Sequence, residues 1–64
     1  MKVNGKVYEF KDEITISKLL EHLNLKQDLV VVELNFKIVP KEEYKAIILN
    51  DDDNLEIVSF VGGG

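Results

Sequence analysis

With 64 residues, 45% hydrophobic and 31% charged, the chain has material for one domain with one modest core, and none for a second domain or a deep cleft. A formal net charge of -4 and the absence of arginine argue against nonspecific nucleic-acid binding, which needs cationic side chains to neutralise phosphates. With no cysteine, the chain alone builds no disulfide framework, thiolate nucleophile, thiolate-ligated zinc site or iron–sulfur cluster.

Met1 to Gly5 runs directly into strand-like sequence without the apolar segment of a secretory signal. Apolar runs such as Leu29 to Val32 are too short to span a bilayer, so a cytoplasmic protein without membrane contact is expected. Val3-Asn4-Gly5-Lys6 is the strongest local signal, because a type I′ hairpin turn requires positive φ at both central residues and Asn-Gly accepts it with least strain. Two short strands are predicted around it, Met1 to Val3 and Lys6 to Phe10. Pairing across a two-residue turn places Met1, Val3, Tyr8 and Phe10 on one face, the expected core face.

In Thr15 to Leu23, the residues Ile16, Leu19, Leu20 and Leu23 recur at the i, i+3, i+4, i+7 spacing of one helical face, with Thr15 positioned as N-cap. Leu29 to Leu34 is rich in β-branched residues and reads as a strand. Lys37-Ile38-Val39 reads as its partner, closed by Pro40. Lys41 to Lys45 suits one helical turn, Asp51-Asp52-Asp53-Asn54 is turn chemistry, and Leu55 to Val61 is a last strand. This order of hairpin, helix, strand pair, helical turn and strand predicts an α+β β-grasp domain over residues 1–61. In it a mixed sheet of about five strands grips one helix, with the first and last strands adjacent and parallel.

Residues 62–64 are all glycine and read as a tail. Three extended residues reach about 10 Å. Lacking Cβ atoms, they suit passage through a narrow channel, so that a terminal carboxylate meets a reactive centre. Carboxylates are poor electrophiles until an oxygen is replaced by a better leaving group, as adenylation does. A bare flexible end is the bland alternative.

Together the Val3-Asn4-Gly5-Lys6 hairpin, the Thr15-Ile16-Ser17-Lys18-Leu19-Leu20 helix start, Leu34-Asn35 followed by Ile38-Val39-Pro40-Lys41, and Leu55-Glu56-Ile57-Val58 closing on Gly62-Gly63-Gly64 resemble the ThiS family over the whole chain. These are sulfur carriers of thiamine biosynthesis within the ubiquitin-like β-grasp superfamily. The resemblance implies that Gly64 is adenylated by a ThiF-like enzyme and converted to a thiocarboxylate, with Gly62 and Gly63 as the threading arm. It further implies a sulfur-donating protein and thiazole synthase as partners, ATP used by the partner enzymes, and no cofactor bound by the carrier itself. Alternatives are a carrier for another pathway, such as a molybdopterin synthase small subunit or a ubiquitin-like modifier, and an interaction module with an inert tail. No acid, base and nucleophile cluster supports a stand-alone enzyme.

Many relatives carry Asn-Gly at the second hairpin, where this chain has Asn35-Phe36. Phenylalanine at positive φ is strained, so the turn differs in type or Phe36 has a compensating role, a contact with a partner among the possibilities. Alternation along the last strand turns Val58 and Phe60 away from the helix, and Glu33 implies that Val31 shares their face. The resulting apolar patch is either a docking surface or the wet side of a thin sheet. The Asp51-Asp52-Asp53 run lacks calcium-loop spacing and reads as a solvated turn. His22 reads as a surface residue, and Tyr44 as packing.

Overall fold

The computed structural model describes residues 1–60. Strands β1 (Lys2–Val3) and β2 (Lys6–Val7) form the predicted hairpin, with Asn4 at φ 52° and Gly5 at φ 83°, the left-handed pair that a type I′ turn demands. Val3 faces Lys6, and Met1 pairs with Tyr8 through bonds from the Tyr8 N–H to the Met1 carbonyl (2.8 Å) and from the terminal amine to the Tyr8 carbonyl (3.0 Å). As expected, Val3 is buried, and Met1, Tyr8 and Phe10 pack against the core.

Helix α1 (Ile16–His22) buries Ile16, Leu19 and Leu20, while Leu23 packs at its margin. Its first-turn N–H groups, which no helix can satisfy internally, all find oxygens. Ile16 and Ser17 donate to the carbonyls of Ile47 (3.3 Å) and Tyr44 (3.0 Å), and Lys18 donates to Thr15 Oγ1 (3.2 Å), the predicted N-cap. The helix stops because Asn24 turns left-handed (φ 58°), letting Leu25 N–H bond to the Leu20 carbonyl (2.9 Å) and Asn24 N–H to that of Glu21 (3.0 Å). That is a Schellman ending with asparagine in place of glycine.

Strands β4 (Val30–Leu34), β5 (Lys37–Ile38) and β7 (Asn54–Ser59) complete a five-stranded sheet in the order β2-β1-β7-β4-β5. β1 and β7 are adjacent and parallel, and every other neighbouring pair is antiparallel. This is the β-grasp arrangement expected of the sequence. One face carries Val3, Val30, Val32, Leu55 and Ile57, all buried in one cluster with the helix.

Most boundaries shift by one or two residues, and three differences matter most. Leu29 belongs to a 3-10 turn (Gln27–Leu29) instead of β4, the second strand ends at Val7, and the last at Ser59. A second, two-stranded sheet was not foreseen. It joins β3 (Ile14–Thr15) to β6 (Ile48–Leu49), and with two residues a side it has no period for sequence reading to detect. The helical turn at Lys41–Glu43 follows Pro40 and buries Tyr44, as predicted. Among the described residues no helix is long and apolar enough to cross a membrane.

Candidate functional site

The candidate attachment residue Gly64 and its arm, Gly62 and Gly63, lie outside the described residues. What the structure describes is the strand that leads to them. β7 is held at its start and again near its middle by an asparagine from a hairpin turn. At its start, Asn35 N–H donates to the Asn54 carbonyl (2.8 Å), Asn35 Oδ1 accepts from Asn54 N–H (3.0 Å), and Asn35 Nδ2 donates to Asp53 Oδ1 (3.0 Å). Further along, Asn4 Oδ1 accepts from Ile57 N–H (2.7 Å) and Asn4 Nδ2 donates to the Ile57 carbonyl (3.1 Å). The amide thus acts as one more rung of β1 beyond the point where the backbone turns away. Only a side chain that both donates and accepts can bridge an N–H and a C=O in this way, which excludes aspartate. Sequence reading assigned Asn4 to the turn alone, since its partner lies 53 residues away.

The second hairpin retains the same turn despite Phe36. Asn35 sits at φ 52° and Phe36 at φ 72°, so the turn type has not changed and the phenylalanine bears the strain. Its side chain is 82% exposed, so burial does not offset that strain within the domain. A left-handed non-glycine residue costs roughly 1–2 kcal/mol, and glycine returns part of this through its greater freedom in the unfolded chain. Phe36→Gly is therefore expected to stabilise the domain by about 0.5–1 kcal/mol. In a thermal melt, the midpoint should rise by several degrees, at roughly 4–8 °C per kcal/mol for a domain this small. A lower midpoint would mean that Phe36 makes a stabilising contact.

The sheet face opposite the helix lies open. Val31 stands directly across from Val58, and Phe60 N–H donates to the Leu29 carbonyl (2.7 Å), so Leu29 and Phe60 flank that pair. Val58 and Phe60 are 58% and 52% exposed, while Val31 is half-buried. The sequence-predicted patch of Val31, Val58 and Phe60 is therefore contiguous. Phe36 is not part of it. It lies at the other end of β4, five residues from Val31, which is about 16 Å along a strand. Sequence reading missed Leu29, Val7 and Ile38, which share the open face and are exposed. Val7 is placed there by its pairing with Lys2, and Ile38 by its pairing with Glu33. Both lie on edge strands; for Val7 the predicted hairpin register, with Tyr8 on the core face, already implied this direction.

The remaining candidates sit as the sequence suggested. Asp53 uses its carboxylate to close its own loop, accepting from Asn50 N–H (2.7 Å) and from Asn35 Nδ2. Among the described residues no group of three or more acidic, histidine or cysteine side chains is arranged to hold a metal ion. His22 is exposed, its ring tilted against Phe10 at 5.3 Å in the last helical turn, and Tyr44 is buried in the core.

Comparison with known proteins agrees with this geometry. The ThiS family model matches residues 1–64. The Sulfur carrier protein ThiS of Bacillus subtilis is 45% identical over 65 residues, covering 100% of this chain and 98% of that protein. A thiazole synthase of Paramagnetospirillum magneticum is 44% identical over 62 residues, which are 97% of this chain and only 19% of that much longer protein. Among solved structures, the crystal structure of a thiamine biosynthesis protein (ThiS) from Geobacter metallireducens superposes with a TM-score of 0.78 at 33% identity, covering 98% of this chain and 96% of that one.

Proposed function

Because the chain belongs to the ThiS family, we propose that it is a sulfur carrier of thiamine biosynthesis whose C-terminal Gly64 bears the sulfur as a thiocarboxylate. The observation that carries this reading is the family match over residues 1–64, which takes in the three glycines as well as the folded domain. The carrier is a cosubstrate of other enzymes and not an enzyme itself. A ThiF-like partner lets a Gly64 carboxylate oxygen attack the α-phosphorus of ATP, releasing pyrophosphate and leaving an acyl adenylate. Sulfide-level sulfur from a donating protein then attacks the acyl carbon, forming a C–S bond and expelling AMP. Thiazole synthase takes the sulfur from the resulting thiocarboxylate. ATP and the sulfur source belong to the partners, and the carrier holds no cofactor. This chemistry requires a compartment that supplies ATP, and the cytoplasm is the one assigned in this reading.

Residues 1–61 form the body in this reading and residues 62–64 the arm. Gly62 and Gly63 supply a thin backbone without side chains, so the enzyme's channel can close around it and exclude water from the acyl adenylate. Val31, Val58 and Phe60 form the docking surface, and Phe36 adds a separate contact at the far end of the sheet. The thiazole synthase relative supports the choice of partner. Joining a carrier-like segment and a synthase in one polypeptide replaces diffusional encounter with a high effective concentration.

The test is intact-mass measurement after incubating the chain with ATP, its adenylating enzyme and a sulfur donor. Replacement of one terminal oxygen by sulfur is expected. An unchanged mass, under conditions that load the Bacillus subtilis carrier, would instead mark this chain as an interaction module with an inert tail.

A further inference from the structure

Asn4-Gly5 is the one asparagine–glycine step in the chain, since Asn24, Asn35, Asn50 and Asn54 are each followed by a residue with a side chain. In any asparagine the side-chain carbonyl carbon lies within reach of the next residue's backbone nitrogen, and attack by that nitrogen closes a five-membered ring. A Cβ on the next residue hinders the attack, and glycine has none. The property that suits Gly5 to the turn therefore makes Asn4 the most reactive asparagine of this sequence. Bulk does not shelter the step: Gly5 is exposed, and no atom lies within 4 Å of where a Cβ on it would stand.

What shelters Asn4 is the use the fold makes of its side chain. Oδ1 accepts from Ile57 N–H at 2.7 Å and Nδ2 donates to the Ile57 carbonyl at 3.1 Å, so both polar atoms of the amide are committed to β7. The Asn4 N–H is committed as well, to the Leu55 carbonyl at 2.9 Å. Ring closure requires Cγ to swing onto the Gly5 nitrogen, which breaks both side-chain bonds. Asn35 is the comparison within the same molecule. It sits in the same left-handed conformation, φ 52°, and its side chain also holds β7, at Asn54, but Phe36 follows it.

We propose that Asn4 is a latent deamidation site, kept intact by its clamp on Ile57 and converted when the first hairpin parts from β7. The Gly5 nitrogen attacks Asn4 Cγ, the new C–N bond replaces the Cγ–Nδ2 bond, and ammonia leaves with the proton that the Gly5 nitrogen gives up. Water then opens the cyclic imide, at one carbonyl to aspartate and at the other to isoaspartate. Water is the one co-reactant. Either product ends the clamp. Aspartate still accepts from Ile57 N–H but sets a carboxylate oxygen against the Ile57 carbonyl. Isoaspartate carries no side-chain amide, and its main chain runs through the former side-chain carbon, lengthening a two-residue turn by one atom. A converted hairpin cannot re-form the bonds that protected it, so each opening that ends in conversion is one-way. This chemistry is independent of the carrier reading.

The experiment incubates the full chain at one pH and temperature, in buffer and in urea above its unfolding midpoint. Peptides from timed samples are then weighed for amide replaced by acid. In urea, Asn4 is expected to convert well ahead of Asn35. In buffer, Asn4 should convert roughly 10-fold or more slowly than in urea, because two hydrogen bonds must break first. The variant Asn4→Asp keeps a dipeptide that accepts the same turn and so isolates the clamp. Its melting midpoint should fall by at least about 4 °C. Equal rates at Asn4 in buffer and in urea would mean that the clamp protects nothing, and would overturn the proposal. So would an Asn4 that converts no faster than Asn35 in urea. A midpoint for Asn4→Asp equal to the parent's overturns the claim that conversion unlocks the hairpin. The two rates are read on the parent chain and stand whether or not the variant folds.

Discussion

Deletion of Gly64 is expected to abolish thiocarboxylate formation completely while leaving the unfolding midpoint unchanged. The residue carries no side chain, so its removal takes no apolar group from the core. It does move the carboxylate back by one residue, about 3.5 Å, and onto Gly63. A displacement of even 1 Å from the reactive geometry costs on the order of 100-fold in rate, and 3.5 Å leaves the oxygen out of reach of the α-phosphorus. Intact mass reports the loading and circular dichroism the fold. If the shortened chain is still loaded, the enzyme recognises a run of glycines and not a fixed distance from the sheet. If the midpoint falls by several degrees, the glycine is part of the folded body and the division at residue 61 is wrong.

The second large effect concerns the strand that bears the arm. Leu55 is fully buried at the centre of the sheet, beside Val3 on β1 and Leu34 on β4. Its carbonyl also accepts the Asn4 N–H (2.9 Å). Leu55→Ala is expected to destabilise the domain by about 2–5 kcal/mol, the sum of lost transfer energy and the cavity left behind. At roughly 0.05–0.15 kcal/mol per residue, a chain of this length has a total stability of about 3–10 kcal/mol, so the variant should lose a large share of it and unfold at a markedly lower urea concentration. Urea titration followed by circular dichroism checks this. A loss below about 1 kcal/mol would mean that the neighbours collapse into the space, as they would in a looser core. Loading should fall in proportion to the unfolded fraction, which distinguishes this variant from Gly64 deletion, where the folded chain itself cannot be loaded.

Both predictions follow from how the domain is built. The central strand ends at Ser59, with the buried Leu55 and Ile57 and the two asparagine clamps fixing it upstream. In the proposed reading, a strand fixed in this way gives the glycine arm a defined origin, so that a partner grips the body and draws in only the end. The strained Phe36 fits the same division of labour. The domain gives up about 1 kcal/mol or less to keep an exposed aromatic ring at the far end of the sheet. The proposed docking role of Phe36 predicts that Phe36→Gly, although more stable, binds the adenylating enzyme less tightly.

The amino-acid sequence by itself determined whatever depends on neighbours along the chain. Asn4-Gly5 dictates a left-handed turn because few other dipeptides accept it, the Ile16, Leu19, Leu20 and Leu23 spacing dictates a helix with one buried face, and alternation dictates that Leu55 and Ile57 turn inward while Val58 and Phe60 turn out. Tertiary structure decided whatever depends on register between distant segments. It set Asn4 against Ile57, paired Ile14–Thr15 with Ile48–Leu49, and brought Glu33 opposite Glu56. It also settled the Phe36 turn, because the Asn35 side chain bonds to Asp53 and Asn54 and so imposes the left-handed geometry whichever residue follows. The physical reason is range. Backbone sterics and periodicity act over a few residues, whereas a pairing across 20 to 50 residues is chosen by the packing of the whole core.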